Sequence, residues 1–242
     1  MLKPAHVQPA REDGDIKSRA GLPRVLRENG LSLAFLALFV LTALGQVFAG
    51  FADYNSELAQ HRQATIGLGR YLTSGHFLEA LFEKWESEFL QMAVFVVLTV
   101  SLRQKGSSES KPLDEGTHDS DEDPRLHEHD AEVPWPVRRG GFWLAVYEHS
   151  LTIALTGLFV GSLALHAVFG AVKANQESSM HGEAAQSVLE YLASSHFWYE
   201  SFQNWQSEFL SVFALIVLSI FLRQRGSSQS KPVAAPHAQT GE

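Results

Sequence analysis

The 242-residue chain carries a formal net charge of -8 and no cysteine, which excludes disulfides, thiolate catalysis and cysteine-based metal sites. Its apolar residues are gathered into blocks, so a mean hydropathy near zero averages membrane-length segments with polar tails and a polar linker. That distribution points away from an ordinary soluble domain, and the acidity is local and marks no nucleic-acid partner.

A polar N-terminal tail over 1–24 leads to the first apolar block, residues 31–52 (LSLAFLALFVLTALGQVFAGFA), 22 residues without a charge. As a helix the block would extend about 33 Å, enough to cross about 30 Å of hydrocarbon. A cleavable signal peptide fits it poorly, because about 30 residues precede it and it is longer than the roughly 7–15 apolar residues of a signal. A polar connection of about 20 residues follows, then a second predicted span over 83–103, closing a first hairpin over 25–112. The linker 113–140 gathers Asp114, Glu115, Asp119, Asp121, Glu122, Asp123, Glu128, Asp130 and Glu132, a run expected to be solvated and disordered. Asp119, Asp121, Asp123 and Asp130 match a calcium-loop spacing, with His127 and His129 nearby, but Pro124 stands where that loop requires glycine. No metal site is predicted there. A second hairpin over 141–232 contains spans over 151–172 and 203–223, and a tail over 233–242 ends the chain.

The two hairpins are copies. Residues 71–112 and 191–232 align without gaps with 22 of 42 positions identical, and the offset of 120 also aligns Leu31 with Leu151, Gly50 with Gly170, Asn55 with Asn175 and His61 with His181. Lysine and arginine number six in the N-terminal tail, six in the central linker and three in the C-terminal tail, whereas the connections inside the hairpins hold only Arg62, Arg70 and Lys84, and Lys173. The termini and linker are therefore expected to be cytoplasmic. The fold class expected is an all-α membrane protein, four transmembrane helices formed by two helical-hairpin repeats inserted in parallel. Equivalent residues of such repeats lie at equal depth.

Only 14 residues, Phe209 to Leu222, are free of charge in the fourth span, about 21 Å of helix, so the span must start earlier and take in Glu208. Glu88 and Glu208 are the one acidic position shared by the second and fourth spans. A carboxylate there, costly against lipid, is a candidate proton- or cation-binding pair. The alternative is that Trp85 and Trp205 mark the outer interface and both glutamates sit in the wet headgroup zone. Trp198, Phe202, Trp205 and Phe209 form one helical stripe, read as packing and anchoring. His76 and His196 are shared too, but twelve helical residues separate His76 from Glu88, about 18 Å, so they read as markers of a helix start near Ser74 and Ser194. Gln46 and His166 occupy equivalent positions and are candidates for hydrogen bonds across helices, and Gly157 and Gly161 form a GxxxG pattern for close packing. Arg103 and Arg223 are read as snorkelling anchors, with Gly106 and Gly226 as helix C-caps.

The motifs FQNWQSEFL, SIFLRQRGSSQSKP and PWPVRRGG, with the chain from about residue 24 to 233, resemble a family of bacterial membrane proteins catalogued as a domain of unknown function. The resemblance implies a multi-pass protein of the bacterial inner membrane and implies no activity. The function expected is binding or conduction of protons or small cations at Glu88 and Glu208. The alternative is a structural or partner-binding membrane protein without transport. Neither requires an enzyme or a cofactor. The expected partners are the lipid bilayer and, for assembly, a second copy or another membrane protein.

Overall fold

A computed structural model describes residues 24–113, 121–130 and 132–240. Most of the N-terminal tail, together with Asp114, Glu115 and Asp119 of the linker, lies outside the described residues, which contain helices and turns but no strand. Among the described residues three helices are long and apolar enough to cross a membrane: α1 (Arg24–Gln60), and two that we label α6 (Ser150–His181) and α8 (Ser195–Phe221). The remaining long helix, α3 (Gly75–Ser101), has the length but carries Lys84, Glu86 and Glu88 in its last 18 residues. Composition therefore distinguishes it from the other three.

The chain divides after Leu68 into two compact units. In the first, α1 runs 37 residues with a non-helical Asn29 near its start, where the Asn-Gly pair has poor helix propensity. Its apolar middle exposes Leu31, Phe35, Leu38 and Phe39. Asn55 then closes the connection: its side chain accepts from the N–H of Ile66 at 2.8 Å and donates to the same residue's carbonyl at 3.1 Å.

In the second unit, the short α2 (Leu68–Leu72) turns into α3, whose N-cap Ser74 accepts from the N–H of Phe77. The linker holds a 3₁₀ turn at Pro124–His127, then α4 (Trp135–Arg139) and α5 (Gly141–Glu148). Trp135 and Trp143 pack at 5.5 Å between centroids with Arg139 over the Trp135 ring, an exposed aromatic collar immediately before α6 of the kind that anchors at a membrane interface. After α6, Asn175 brackets Gln186 as Asn55 brackets Ile66, accepting at 2.8 Å and donating at 2.9 Å. A capping box of Ser187 and Glu190 starts α7 (Val188–Leu192), and Ser194 caps α8.

The second-unit helices pack most extensively between α3 and α6, and α8 adds a further face to α3. Two glycines permit the closest approaches. A Cβ on Gly75 would stand 2.7 Å from the backbone nitrogen of Lys173, and one on Gly170 would stand 2.6 Å from Tyr191 Cζ. Tyr191, Phe197, Ala167 and Ala171 form the adjoining buried apolar cluster. The GxxxG pair does not serve this packing: a Cβ on Gly157 or Gly161 would meet nothing within 4 Å, because the tight crossing falls nearer the other end of α6.

The helix ends also differ from expectation. The caps of α3 and α8 are Leu102 and Leu222 in extended conformation. Gly106 and Gly226, at φ 85° and 83°, instead sit third in turns closed by Ser107 N–H to Gln104 and Ser227 N–H to Gln224, where a positive φ selects glycine. The arginines cap their own helices: Arg103 donates to the Val100 carbonyl at 3.1 Å and Arg223 to those of Ser219 and Ile220 at 3.1 Å.

Gly170→Ala should lower stability by about 1–3 kcal/mol through overpacking against Tyr191, while Gly157→Ala should change it by less than about 0.5 kcal/mol. Thermal unfolding in detergent micelles checks both, and equal effects at the two glycines would contradict the packing described.

Candidate functional site: a buried acid–imidazole cluster

Three helices of the second unit each present one polar stripe inward. On α3, Glu79, Glu83 and Glu86 recur at spacings of four and three, which places them on one helical face. On α6, His166 and Lys173 stand two turns apart. On α8, His196, Glu200 and Asn204 repeat every fourth residue. The α3 and α6 stripes meet where Gly75 lets the backbones approach, and Gly170 makes room for the Tyr191 side chain beside them.

At the centre His166 Nδ1 lies 2.7 Å from Glu86 Oε2, and neither side chain has any exposure. The other oxygen of Glu86 accepts from the indole N–H of Trp205 at 2.9 Å. An ionised carboxylate only accepts, so Glu86 places the imidazole proton on Nδ1. The Nε2 atom of His166 is buried without a hydrogen-bond partner. It faces Glu200 Oε2 at 3.8 Å, beyond direct hydrogen-bond reach. Glu200 Oε2 accepts from the Tyr191 hydroxyl at 2.9 Å, and its Oε1 lies 3.2 Å from His196 Nε2.

Beside this chain, Lys173 donates to both oxygens of Glu79, at 3.0 and 3.2 Å, with Glu79 only 2 % exposed. Asn204 bridges Glu83 and Lys84. Phe197 closes the site with its ring 4.6 Å from that of His166. The arrangement can hold and hand on a proton, because acid and imidazole alternate at hydrogen-bond or near-hydrogen-bond distance from the exposed His196 to the fully buried His166 and Glu86. One nitrogen and two carboxylates also converge: ligand atoms of Glu79, His166 and Glu200 all lie within 4.8 Å of one another.

The expected pair takes a different place. Glu88 is exposed and Glu208 half-buried, within electrostatic reach of one another. The interior carboxylates on α3 are Glu86 and Glu79, which helix phase turns inward where Glu88 turns out. His166 bonds across helices to Glu86, and Gln46, 120 residues before it, is exposed on α1. Trp205 faces inward onto Glu86 and packs on Phe159 at 6.2 Å, so it is a ligand of the cluster rather than only an interface anchor. Trp85 is half-buried against Phe82. Glu79, Glu86 and Glu200 stand opposite Tyr199, Gln206 and Ala80 at the offset of 120, so repetition does not mark them. The usable signal was the carboxylate stripe of α3 opposite the His-Lys stripe of α6.

A family model described as a domain of unknown function (DUF6766) matches residues 22–242. The chain belongs to that family. No curated protein and no solved structure matches it.

The described linker carboxylates of this DUF6766 protein serve protein groups. Asp121 pairs with Lys111, Asp123 accepts from the N–H of Arg125, and Asp130 holds His127. His127, between Asp130 and Glu122, titrates above its ordinary 6.5 because both carboxylates bond its charged form. Its folded pKa is raised, so its contribution to the turn is full below the unfolded value and is lost as pH rises through the folded one. Asp130→Asn should move the His127 NMR titration midpoint down toward 6.5; an unchanged midpoint would refute the pairing.

Glu86→Gln, which strips charge from the buried pair, should destabilise by about 3–5 kcal/mol. Glu88→Gln should change stability by less than about 1 kcal/mol. Chemical denaturation in mixed micelles distinguishes them, and a reversed order would displace Glu86 from the cluster.

Proposed function

We propose that this chain is a non-enzymatic, four-span membrane protein of two hairpins inserted in parallel, which conducts protons through a site deep in the membrane entered from the outer side. The observation that carries this reading is a fully buried His166 bonded to Glu86 at one nitrogen and facing Glu200 with the other. Beyond Glu200 stands His196, 62 % exposed, which supplies the aqueous end of the path.

The reading makes α3 the fourth span. Its charges oppose lipid crossing only if they face lipid, and Glu79 and Glu86 face the bundle instead, the usual disposition of ionisable residues in membranes. The lysine and arginine asymmetry puts the termini and linker in the cytoplasm, so α3 and α8 start at the outer face. Glu86 is eleven residues into α3, about 17 Å of helix, near the middle of a core about 30 Å thick. Protons would pass His196, Glu200, His166 and Glu86 in turn, with rotation of the Glu200 carboxylate closing the 3.8 Å step. The family resemblance supports a bacterial inner-membrane location.

Liposomes loaded with a pH-sensitive dye and reconstituted with the protein should dissipate an imposed pH gradient faster than empty ones. His166→Gln should reduce the excess rate at least about tenfold, the order expected for losing a positioned proton carrier, and Glu88→Gln should leave it unchanged. Equal rates for wild type and empty liposomes would overturn the reading. A second reading, an assembly protein without transport, draws on the exposed Phe142, Trp143, Trp198 and Phe202 and would be favoured by that null flux together with a defined crosslinked oligomer.

A further inference from the structure

We infer that His166 Nε2, Glu79 and Glu200 form a site for one divalent transition-metal ion of the zinc class. The inference goes beyond proton conduction and does not depend on flux.

Four observations converge on it. First, one ligand atom from each residue lies within 4.8 Å of the others. Zinc bonds to nitrogen and oxygen of about 2.0–2.2 Å in tetrahedral geometry put neighbouring ligand atoms roughly 3.3–3.6 Å apart. The 3.8 Å between His166 Nε2 and Glu200 Oε2 is too long for a hydrogen bond and close to that ligand spacing. Second, Nε2 is a buried nitrogen with no hydrogen-bond partner, and it is aimed at Glu200. A buried polar atom left unsatisfied carries a cost that a ligand removes.

Third, Glu86 bonds Nδ1 at 2.7 Å. A carboxylate behind an imidazole fixes the tautomer that presents a lone pair at Nε2 and raises its basicity, the arrangement usual behind metal-bound histidine. Fourth, the charges do not balance. Three carboxylates, Glu79, Glu86 and Glu200, face one lysine, Lys173, and the imidazole of His166, so negative charge is in excess in a low-dielectric interior even when His166 carries a proton. A dication neutralises that excess. His196 and Tyr191 face Glu200, and Glu83 with Lys84 engages Asn204, so these groups complete the surroundings without occupying Nε2.

One imidazole and two carboxylates, with no sulfur, select first-row metals such as zinc over soft copper(I), and the nitrogen selects them over magnesium and calcium. Three protein ligands leave a position for water. Lys173 holds Glu79 in the absence of metal, is 26 % exposed, and must release one Glu79 oxygen as the ion enters. Lys173 is thus a competitor for the site. A proton competes at Nε2, so affinity should rise with pH.

The test uses the full chain in detergent micelles, stripped with chelator and titrated with Zn²⁺ by calorimetry, with Co²⁺ as a spectroscopic stand-in. Wild type should bind one Zn²⁺ per chain, and Co²⁺ should give the intense visible absorption of a four-coordinate site. His166→Gln and Glu79→Gln should each weaken binding at least about 100-fold. Glu86→Gln, a positioning change, should weaken it about 10- to 100-fold, and Glu88→Gln should leave it unchanged. Lys173→Met should tighten binding, and Zn²⁺ should raise its unfolding temperature more than that of wild type. If His166→Gln does not fold, the readout becomes the His166 Nε2 NMR resonance of wild type, which Zn²⁺ should shift. Absence of binding to folded wild type would overturn the inference. So would binding lost on replacing His127 and His129 but retained in His166→Gln, or an Nε2 resonance unmoved by Zn²⁺.

Discussion

A carboxylate and an imidazole, both without exposure, joined at 2.7 Å within a helix bundle, form the constraint on which the second unit depends. Burying either charge alone would cost several kcal/mol, and only close pairing with full hydrogen bonding makes the arrangement tolerable. Glu86 meets that condition, with His166 on one oxygen and Trp205 on the other. To bring Glu86 to His166, α3 must lie against α6, and Gly75 keeps a side chain out of that contact. Tyr191 then fills the space at Gly170 with its ring and uses its hydroxyl to hold Glu200. Packing and electrostatics are therefore one problem here, solved by the same few residues.

Positions 120 residues apart divide between those that carry the same residue and those that do not. Shared residues build the frame: Asn55 and Asn175 bracket the connections, Ser74 and Ser194 start helices, and Gly106 and Gly226 form equivalent turns. The cluster is made where the halves differ. Glu86 faces His166, whereas the corresponding residues of the other copies are Gln206 and Gln46. The physical reason is complementarity. Two identical copies facing one another would oppose acid to acid, as Glu88 and Glu208 do at a distance, and a buried pair of like charges is the costlier option. An acid from one copy and a base from the other can meet without that penalty.

Helix α3 shows what composition leaves out. Three charges in its last 18 residues set it apart from α1, α6 and α8, yet Glu79 and Glu86 are among the most buried side chains described. Whether a charge opposes membrane crossing depends on which way it points, and a hydropathy average carries no direction. The aromatic collar of Trp135, Phe142 and Trp143 makes the same point in reverse: a short apolar helix, α5, carries exposed rings suited to an interface.

From sequence alone, the long apolar helices, the serine starts of α3 and α8 and the 120-residue offset were legible, because each rests on local period or direct repetition. The true placement of the GxxxG pair, the inward turn of Trp205 and the choice of Glu86 over Glu88 were not. Two residues along a helix shift direction by about 200°, and the neighbour each side chain meets is set by how α3 crosses α6 and α8. That crossing, a property of three helices packed together, alone decided which glutamates became a site.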